Sequence, residues 1–140
     1  MSDFGLKFHH LGLAVTDDSQ AIRFLKGMGY DTGEKVYDPE QNVHLRMCAA
    51  ADKPAVEMIM PGIGDGPLTP ILKRYNELIY HTCYEVNELD ASLRAIEDAG
   101  LRILPIAERK PAILFGGRQV SFYKIIGFGL IELLEPPDSD

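Results

Sequence analysis

Two histidines and two glutamates recur at matching places in the two halves of the chain. His10 begins a short apolar segment, and His81 begins a similar segment 71 residues later. Glu57 and Glu132, which are 75 residues apart, each lie within an apolar run. Burying a carboxylate among apolar side chains costs free energy unless it is paired or coordinates a cation. Two imidazoles and two carboxylates can bind one divalent ion, so the repeat predicts a metal site formed by His10, Glu57, His81 and Glu132.

Isolated residues of these types would have simpler explanations. A single histidine on an apolar strand is usually a core residue with one hydrogen bond. A single glutamate in a strand usually lies at a sheet edge or pairs with a distant arginine. Because both residue types repeat together, we favour metal binding over these alternatives.

The alternation of side chains along a strand sorts the remaining candidates. Neighbouring residues point to opposite faces, so only one of His9 and His10 can face the site, and the repeat selects His10. His44 is predicted to be a solvated strand residue, and His9 is predicted to lie on the back of the sheet or at the surface. Cys83 is predicted to lie on the face of His81 as a small buried hydrophobic residue. Imidazole and carboxylate donors accept Co, Ni, Mn, Zn or Mg, and we expect one such ion per chain.

The composition argues against several classes of function. The chain has 140 residues and is 46 % hydrophobic, which suits one domain spanning residues 1–140. A net charge of −7 argues against nucleic acid or an anionic membrane as partner. The sequence has no apolar run of membrane-spanning length and no basic start of a secretory signal. Cys48 and Cys83 lie in predicted strands, and we expect them to be reduced thiols of a cytoplasmic protein.

The first half of the chain has the pattern of one strand, one helix and three further strands. The first strand is predicted at residues 8–15. Thr16, Asp17 or Asp18 is expected to cap the helix, and Gly29 is expected to end it. The further strands are predicted at residues 30–37, 43–49 and 55–60.

The second half repeats this order. A strand is predicted at residues 79–86, and Asn87 is expected to cap a helix that Gly100 ends. Strands follow near residues 101–106, 118–126 and 129–134. A Gly- and Pro-rich stretch joins the halves, with a short helix predicted at residues 71–76.

The pattern is therefore βαβββ twice, in modules of residues 7–62 and 77–136 that are joined by a linker of residues 63–76. Neither module has enough strands and apolar surface to be stable alone. The predicted fold class is α+β, with two βαβββ modules that form one curved, cup-shaped mixed sheet and helices outside it.

These motifs resemble the vicinal oxygen chelate superfamily, which contains glyoxalases, bleomycin-resistance proteins and dioxygenases. The resemblance covers nearly the whole chain and is carried by residues 10–15, 38–43, 56–61, 80–81 and 129–133. Within the superfamily the chain is most similar to the methylmalonyl-CoA epimerases and next to glyoxalase I. Members of the superfamily build a metal cup from two βαβββ modules, which agrees with the predicted architecture.

The resemblance implies that His10, Glu57, His81 and Glu132 are metal ligands. It also implies a metal-dependent isomerase or epimerase that removes the α-proton of an acyl thioester such as methylmalonyl-CoA, through a metal-stabilised enolate. Glu132 and Glu57 are then the candidate acid–base residues. Some epimerases carry a further catalytic glutamate where this chain has Leu45. Because that glutamate is missing here, Glu132 and Glu57 are the simplest choice for the acid and the base.

Other functions of the same fold remain open from the sequence. The first is a glyoxalase I-like lactoylglutathione lyase, and the second is a metal-free protein that binds or sequesters a small molecule. The ligand quartet argues against the metal-free function. An extradiol dioxygenase ranks lower, because a fourth carboxylate at Glu57 would block a coordination position that the substrate and oxygen require.

The expected partners are a small-molecule substrate and a second copy of the chain. Arg118 and Lys110, together with Arg109, lie on a segment bounded by Gly and Pro and could bind a phosphate or carboxylate of the substrate. A solvated basic loop explains them as well. Proteins of the superfamily commonly pair, so the resemblance implies a homodimer. Residues 115–118 have no counterpart to which a role can be assigned.

Overall fold

The architecture comes from a computed structural model that describes residues 2–138. It is a mixed α+β structure with nine strands and three α-helices in this part of the chain. Two compact units are present. Residues 10–80 form the first unit, and the residues before His10 join those from His81 onward in the second unit.

The first unit contains one parallel and several antiparallel strand pairs. Strand β1 runs parallel to β5, β5 is antiparallel to β4, and β4 pairs with both β2 and β3. Its elements are β1 (Lys7–Val15, whose first three residues belong to the second unit), α1 (Ser19–Gly27), β2 (Asp31–Thr32), β3 (Val36–Asp38), β4 (Val43–Ala50), β5 (Lys53–Pro61) and α2 (Thr69–Arg74).

The second unit repeats this arrangement. Strand β6 runs parallel to β9, β9 is antiparallel to β8, and β8 is antiparallel to β7. The elements are β6 (Glu77–Glu85, whose first four residues belong to the first unit), α3 (Leu89–Asp98), β7 (Ile103–Pro111), β8 (Gln119–Ile125) and β9 (Gly129–Leu134). The predicted order of one strand, one helix and three strands is confirmed in both halves, with one strand of the first half divided in two.

The division falls within the strand that was predicted at residues 30–37. The N–H group of Gly33 donates to the carbonyl oxygen of Met47 at 2.8 Å. A Cβ atom at Gly33 would lie 2.8 Å from the same oxygen, so the chain approaches β4 more closely than a side chain allows. Thr32 pairs with Cys48 and Val36 pairs with Leu45, so residues 33–35 face only two residues of β4. This extra residue separates β2 from β3.

The helix ends agree with the sequence more closely than the helix starts. Gly29 and Gly100 have φ values of +92° and +83°, which suits their predicted role after α1 and α3. Asp17 accepts a hydrogen bond from the N–H group of Ser19 at 2.9 Å, and this bond lowers the pKa of the exposed carboxyl. Helix α3 begins after Glu88 without a side-chain cap, so the predicted capping by Asn87 is wrong.

Each unit packs its helix against one face of its strands. In the first unit Leu25 of α1 is buried with Val15, Cys48 and Met58. In the second unit Leu89 and Leu93 of α3 pack against three buried residues, Val86 just after β6 and Ile131 and Leu133 of β9. The other face of each unit is therefore left for the residues that could bind a metal. Among the described residues, no helix is long and apolar enough to cross a membrane.

Candidate metal centre

His10 and Glu57 lie on adjacent parallel strands of the first unit. In the register of β1 and β5, His10 pairs with Ala55 and Gly12 pairs with Glu57. Paired residues share a face, so His10 and Glu57 point to the same side. Both side chains are buried, with exposed fractions of 0 % and 4 %. The Nε2 atom of His10 lies 3.6 Å from Oε1 of Glu57.

His81 and Glu132 have the same relation in the second unit. Glu132 pairs with Cys83, the residue two positions after His81, just as Glu57 pairs with the residue two positions after His10. The Nε2 atom of His81 lies 3.1 Å from Oε1 of Glu132, and the exposed fractions are 3 % and 4 %. The repeat therefore extends from the sequence to the strand register.

The distances and donor types of both pairs fit a divalent ion. Two ligand atoms about 2.1 Å from one ion, at angles of about 90° to 109°, are about 3.0 to 3.4 Å apart. The separations of 3.1 and 3.6 Å are close to this range. All four residues are buried, and each offers a ligand atom for a metal ion. Imidazole nitrogen and carboxylate oxygen suit Mg, Mn, Co, Ni and Zn.

Aromatic and apolar groups surround the His81–Glu132 pair. Phe122 of β8 pairs with Glu132 across the strands, and its ring contacts the His81 ring edge-on at a centroid distance of 5.3 Å. Cys83 is fully buried in an apolar cluster with Val120 and Leu134, as the sequence predicted. The contact with Phe122 limits the orientations of the imidazole, and the apolar cluster lies beside the pair. Phe122 was not predicted from the sequence. Pairing the two strands of the predicted β8–β9 hairpin would have placed it opposite Glu132, on the same face.

The segment of residues 115–118 forms the turn between β7 and β8. The chain passes through a 3-10 turn at Ile113–Phe115, and Gly116 and Gly117 then have φ values of +63° and +80°. This turn brings Phe115 against the cluster that contains Cys83, where its ring also contacts His9 at 5.1 Å. The segment that had no assigned role therefore positions an aromatic ring on the face of Glu132.

The two arginines proposed as substrate ligands bind carboxylates of the protein itself. Arg118 donates to Oε1 of Glu85 at 3.1 Å and to the main-chain oxygen of Glu135 at 2.8 Å. Arg109 donates to both carboxylate oxygens of Glu135 at 2.7 and 3.1 Å, which raises the pKa of this guanidinium. Lys110 lies on β7 opposite Val120. The substrate-binding role of Arg118 and Lys110 stays a prediction.

His9 and His44 are both half-buried. His9 is covered in part by Phe115, and the ring of His44 stacks at a tilt on Tyr37 with a centroid distance of 5.1 Å. Leu45, one residue further along β4, is buried and pairs with Ile59, two residues after Glu57. An apolar side chain therefore stands where some epimerases were expected to carry a third carboxylate.

Comparison with known proteins identifies the family. The family model of the glyoxalase/bleomycin resistance protein/dioxygenase superfamily matches residues 9–122. The chain belongs to this superfamily. The matched region contains three of the four candidate metal ligands, His10, Glu57 and His81, and ends before Glu132.

Two relatives of known activity are epimerases. The ethylmalonyl-CoA/methylmalonyl-CoA epimerase of Cereibacter sphaeroides is 27 % identical over 119 residues, which are 83 % of this chain and 86 % of that protein. The mitochondrial methylmalonyl-CoA epimerase of Bos taurus is 27 % identical over 100 residues, which are 70 % of this chain. This match spans 57 % of the bovine protein.

The solved structures show the same fold. The methylmalonyl-CoA epimerase of Mycobacterium tuberculosis superposes with a TM-score of 0.70 at 22 % sequence identity, covering 96 % of this chain and 89 % of that one. The predicted fold class is thereby confirmed. At this level of identity the similarity establishes the fold, and the activity has to be argued from the residues of the site.

Proposed function

We propose that the protein is a metal-dependent isomerase that epimerises an acyl thioester such as methylmalonyl-CoA. The observation that carries the proposal is the pair of buried His–Glu sets, which occupy the same strand register in both units. The two related epimerases named above support the reaction type. The proposed metal content is one divalent ion per chain.

The proposed ligands are His10, Glu57, His81 and Glu132. Their side chains are buried, and the separation within each His–Glu pair fits two ligands of one ion. A divalent ion bound by these residues would stabilise the negative charge that develops on the thioester oxygen when the adjacent carbon loses its proton. The same ion would hold the carboxylates of Glu57 and Glu132 next to the substrate.

Proton transfer is the task that we assign to Glu132 and Glu57. Epimerisation requires removal of a proton from one face of the α-carbon and delivery to the opposite face, so two groups must exchange protons with the substrate. The two glutamates lie on different strands, β9 and β5, and Leu45 leaves no third carboxylate at its place on β4. Glu132 removes the proton in one direction, and Glu57 does so in the reverse direction.

The neighbouring side chains hold this arrangement. Phe122 contacts the ring of His81 edge-on, and Cys83, Val120 and Leu134 form an apolar floor beside Glu132. A dry surrounding strengthens the electrostatic interactions of the carboxylate and protects the carbanion-like state from solvent protons.

Exchange of the substrate α-proton for deuterium tests the proposal. Metal-loaded protein in heavy water should exchange the α-proton of methylmalonyl-CoA, as followed by proton NMR. Glu132→Gln should slow this exchange by about 100-fold or more, the usual contribution of a general base, with a much smaller loss of substrate binding. Glu85→Gln is the matched control. Glu85 is a nearby carboxylate, two positions after the strand partner of Glu132, and it forms an ion pair with Arg118.

Two results would overturn the proposal. One is the absence of exchange with the metal-loaded protein, and the other is exchange that continues at the same rate after the metal is removed. Methylglyoxal with glutathione serves as the second substrate in the same assay. Conversion of their hemithioacetal without exchange of methylmalonyl-CoA would assign the site to a glyoxalase I-like lyase instead.

A further inference from the structure

Strand β8 presents one exposed cation on the same face as Glu132. Phe122 pairs directly with Glu132, and Lys124, two residues further, pairs with Leu130. Residues two apart in a strand share a face, so Lys124 and Glu132 are diagonal neighbours on adjacent strands. Such neighbours are about 7 to 8 Å apart between Cα atoms. The Lys124 side chain is exposed, and a substrate can reach it.

Lys124, unlike Arg118 and Arg109 of the same unit, is available to a ligand. Within the part of the chain that the structure describes, no hydrogen bond or ion pair of Lys124 with another residue is found, whereas Arg118 and Arg109 are held by Glu85 and Glu135. Lys110 shares the face but lies two strands from Glu132 and one step along the strand, since it pairs with Val120. This places its Cα atom about 12 Å from that of Glu132.

We propose that Lys124 binds the free carboxylate of the acyl group and so selects a dicarboxylic acyl thioester. This inference rests on the proposed function. In methylmalonyl-CoA the carboxylate is attached to the carbon that loses its proton. A base acts from about 3 Å, so the substrate carboxylate has to lie within about 5 Å of the Glu132 oxygens. The lysine stem is about 6 Å long and spans the distance from β8 to that position.

The charges of the proposed site favour such a cation. The charge of one divalent ion would be balanced by Glu57 and Glu132, and the protein carries a net charge of −7, so the site offers no excess positive charge to an anionic acyl group. A lysine on the same face attracts substrates with a carboxylate and contributes nothing to neutral acyl groups. Lys124 is therefore a specificity residue, and the proton transfer itself belongs to the glutamates.

Binding measurements with two esters test this role. Methylmalonyl-CoA and propionyl-CoA share the carrier and differ in the carboxylate, and isothermal titration calorimetry with the metal-loaded protein gives their affinities. Lys124→Met should weaken methylmalonyl-CoA binding about tenfold, the effect of one charged hydrogen bond, and leave propionyl-CoA binding unchanged. Lys124→Arg should restore most of the affinity. Lys26→Met, which replaces an exposed lysine of helix α1, is the matched control and should change neither affinity.

The outcomes separate this inference from the proposed function. Equal weakening of both esters by Lys124→Met, or no weakening of either, overturns the role of Lys124 while α-proton exchange can still establish the reaction. A loss of methylmalonyl-CoA affinity in Lys26→Met that matches the loss in Lys124→Met also overturns it. Failure of the wild-type protein to bind either ester overturns both proposals. Because Lys124 is exposed, the variants should keep the thermal midpoint of the wild type, which shows that they are folded.

Discussion

Removal of the metal should lower the thermal stability of the protein by an amount that depends on the four proposed ligands. An ion that binds only the folded state stabilises it by about 2.7 kcal/mol when its free concentration is 100 times its dissociation constant. For 140 residues the unfolding entropy near the midpoint is about 0.3 kcal/mol per degree. A chelator should therefore lower the midpoint by about 9 °C.

The ligand variants make this shift specific. His10→Ala and His81→Ala each remove a buried nitrogen donor, so the difference between metal-loaded and chelated protein should fall below about 2 °C in both variants. His44→Ala is the matched control, because His44 is a half-buried histidine that contacts Tyr37 and lies outside the quartet. It should keep the full shift of the wild type. Differential scanning calorimetry with and without chelator measures each midpoint.

Elemental analysis of the dialysed protein completes the experiment. We expect about one divalent ion per chain for the wild type and His44→Ala, and much less for the two ligand variants. An unchanged metal content and an undiminished chelator shift in both His10→Ala and His81→Ala would refute the quartet. A shift that disappears in His44→Ala would show that the ion is bound elsewhere.

Two further predictions concern the thiols and the oligomeric state. Cys48 and Cys83 are fully buried, and burial raises the pKa of the Cys48 thiol, so native protein should react with a disulfide reagent only slowly and denatured protein should titrate both thiols. The thiol of Cys48 ionises at lower pH in the unfolded chain than in the folded protein, so its contribution to the free energy of unfolding should decline as the pH rises above 9.0, the ordinary pKa of a cysteine thiol. Denaturant titration at several alkaline pH values measures this decline. Rapid labelling of both thiols in the native state would contradict their burial. The second unit has exposed apolar side chains that favour self-association, Leu101, Ile126 and Phe128. Sedimentation equilibrium should therefore give about twice the chain mass of 15.6 kDa. A concentration-independent mass of one chain would exclude the dimer.

The choice of candidate metal ligands could be predicted from the sequence because two local rules apply to it. Side chains alternate along a strand, which separates His10 from His9, and the internal repeat then pairs His10 with His81. The same repeat identifies Glu57 and Glu132, and the equal register of their strands with the histidine strands agrees with that choice. Strand β9 begins and ends where the hydrophobic pattern predicted, at Gly129–Leu134.

Features that depend on distant residues required the tertiary structure. The predicted strand at residues 30–37 is divided because one extra residue lies between the pairs Thr32–Cys48 and Val36–Leu45, and no local pattern encodes this register. Arg118 lies in a segment that resembles a solvated basic loop in the sequence. Its guanidinium forms an ion pair with Glu85, which is 33 residues away in the chain.

The sequence by itself determined which residue types repeat and which face of each strand they occupy, since both follow from periodicity along the chain. The tertiary structure decided which side chains meet across strands. The register of the β8–β9 hairpin places Phe122 opposite Glu132 and Lys124 beside it, and pairing between strands is set by turn geometry and packing over the whole unit. Contacts within a few residues were therefore predictable, and the identity of the cation beside the candidate site was not.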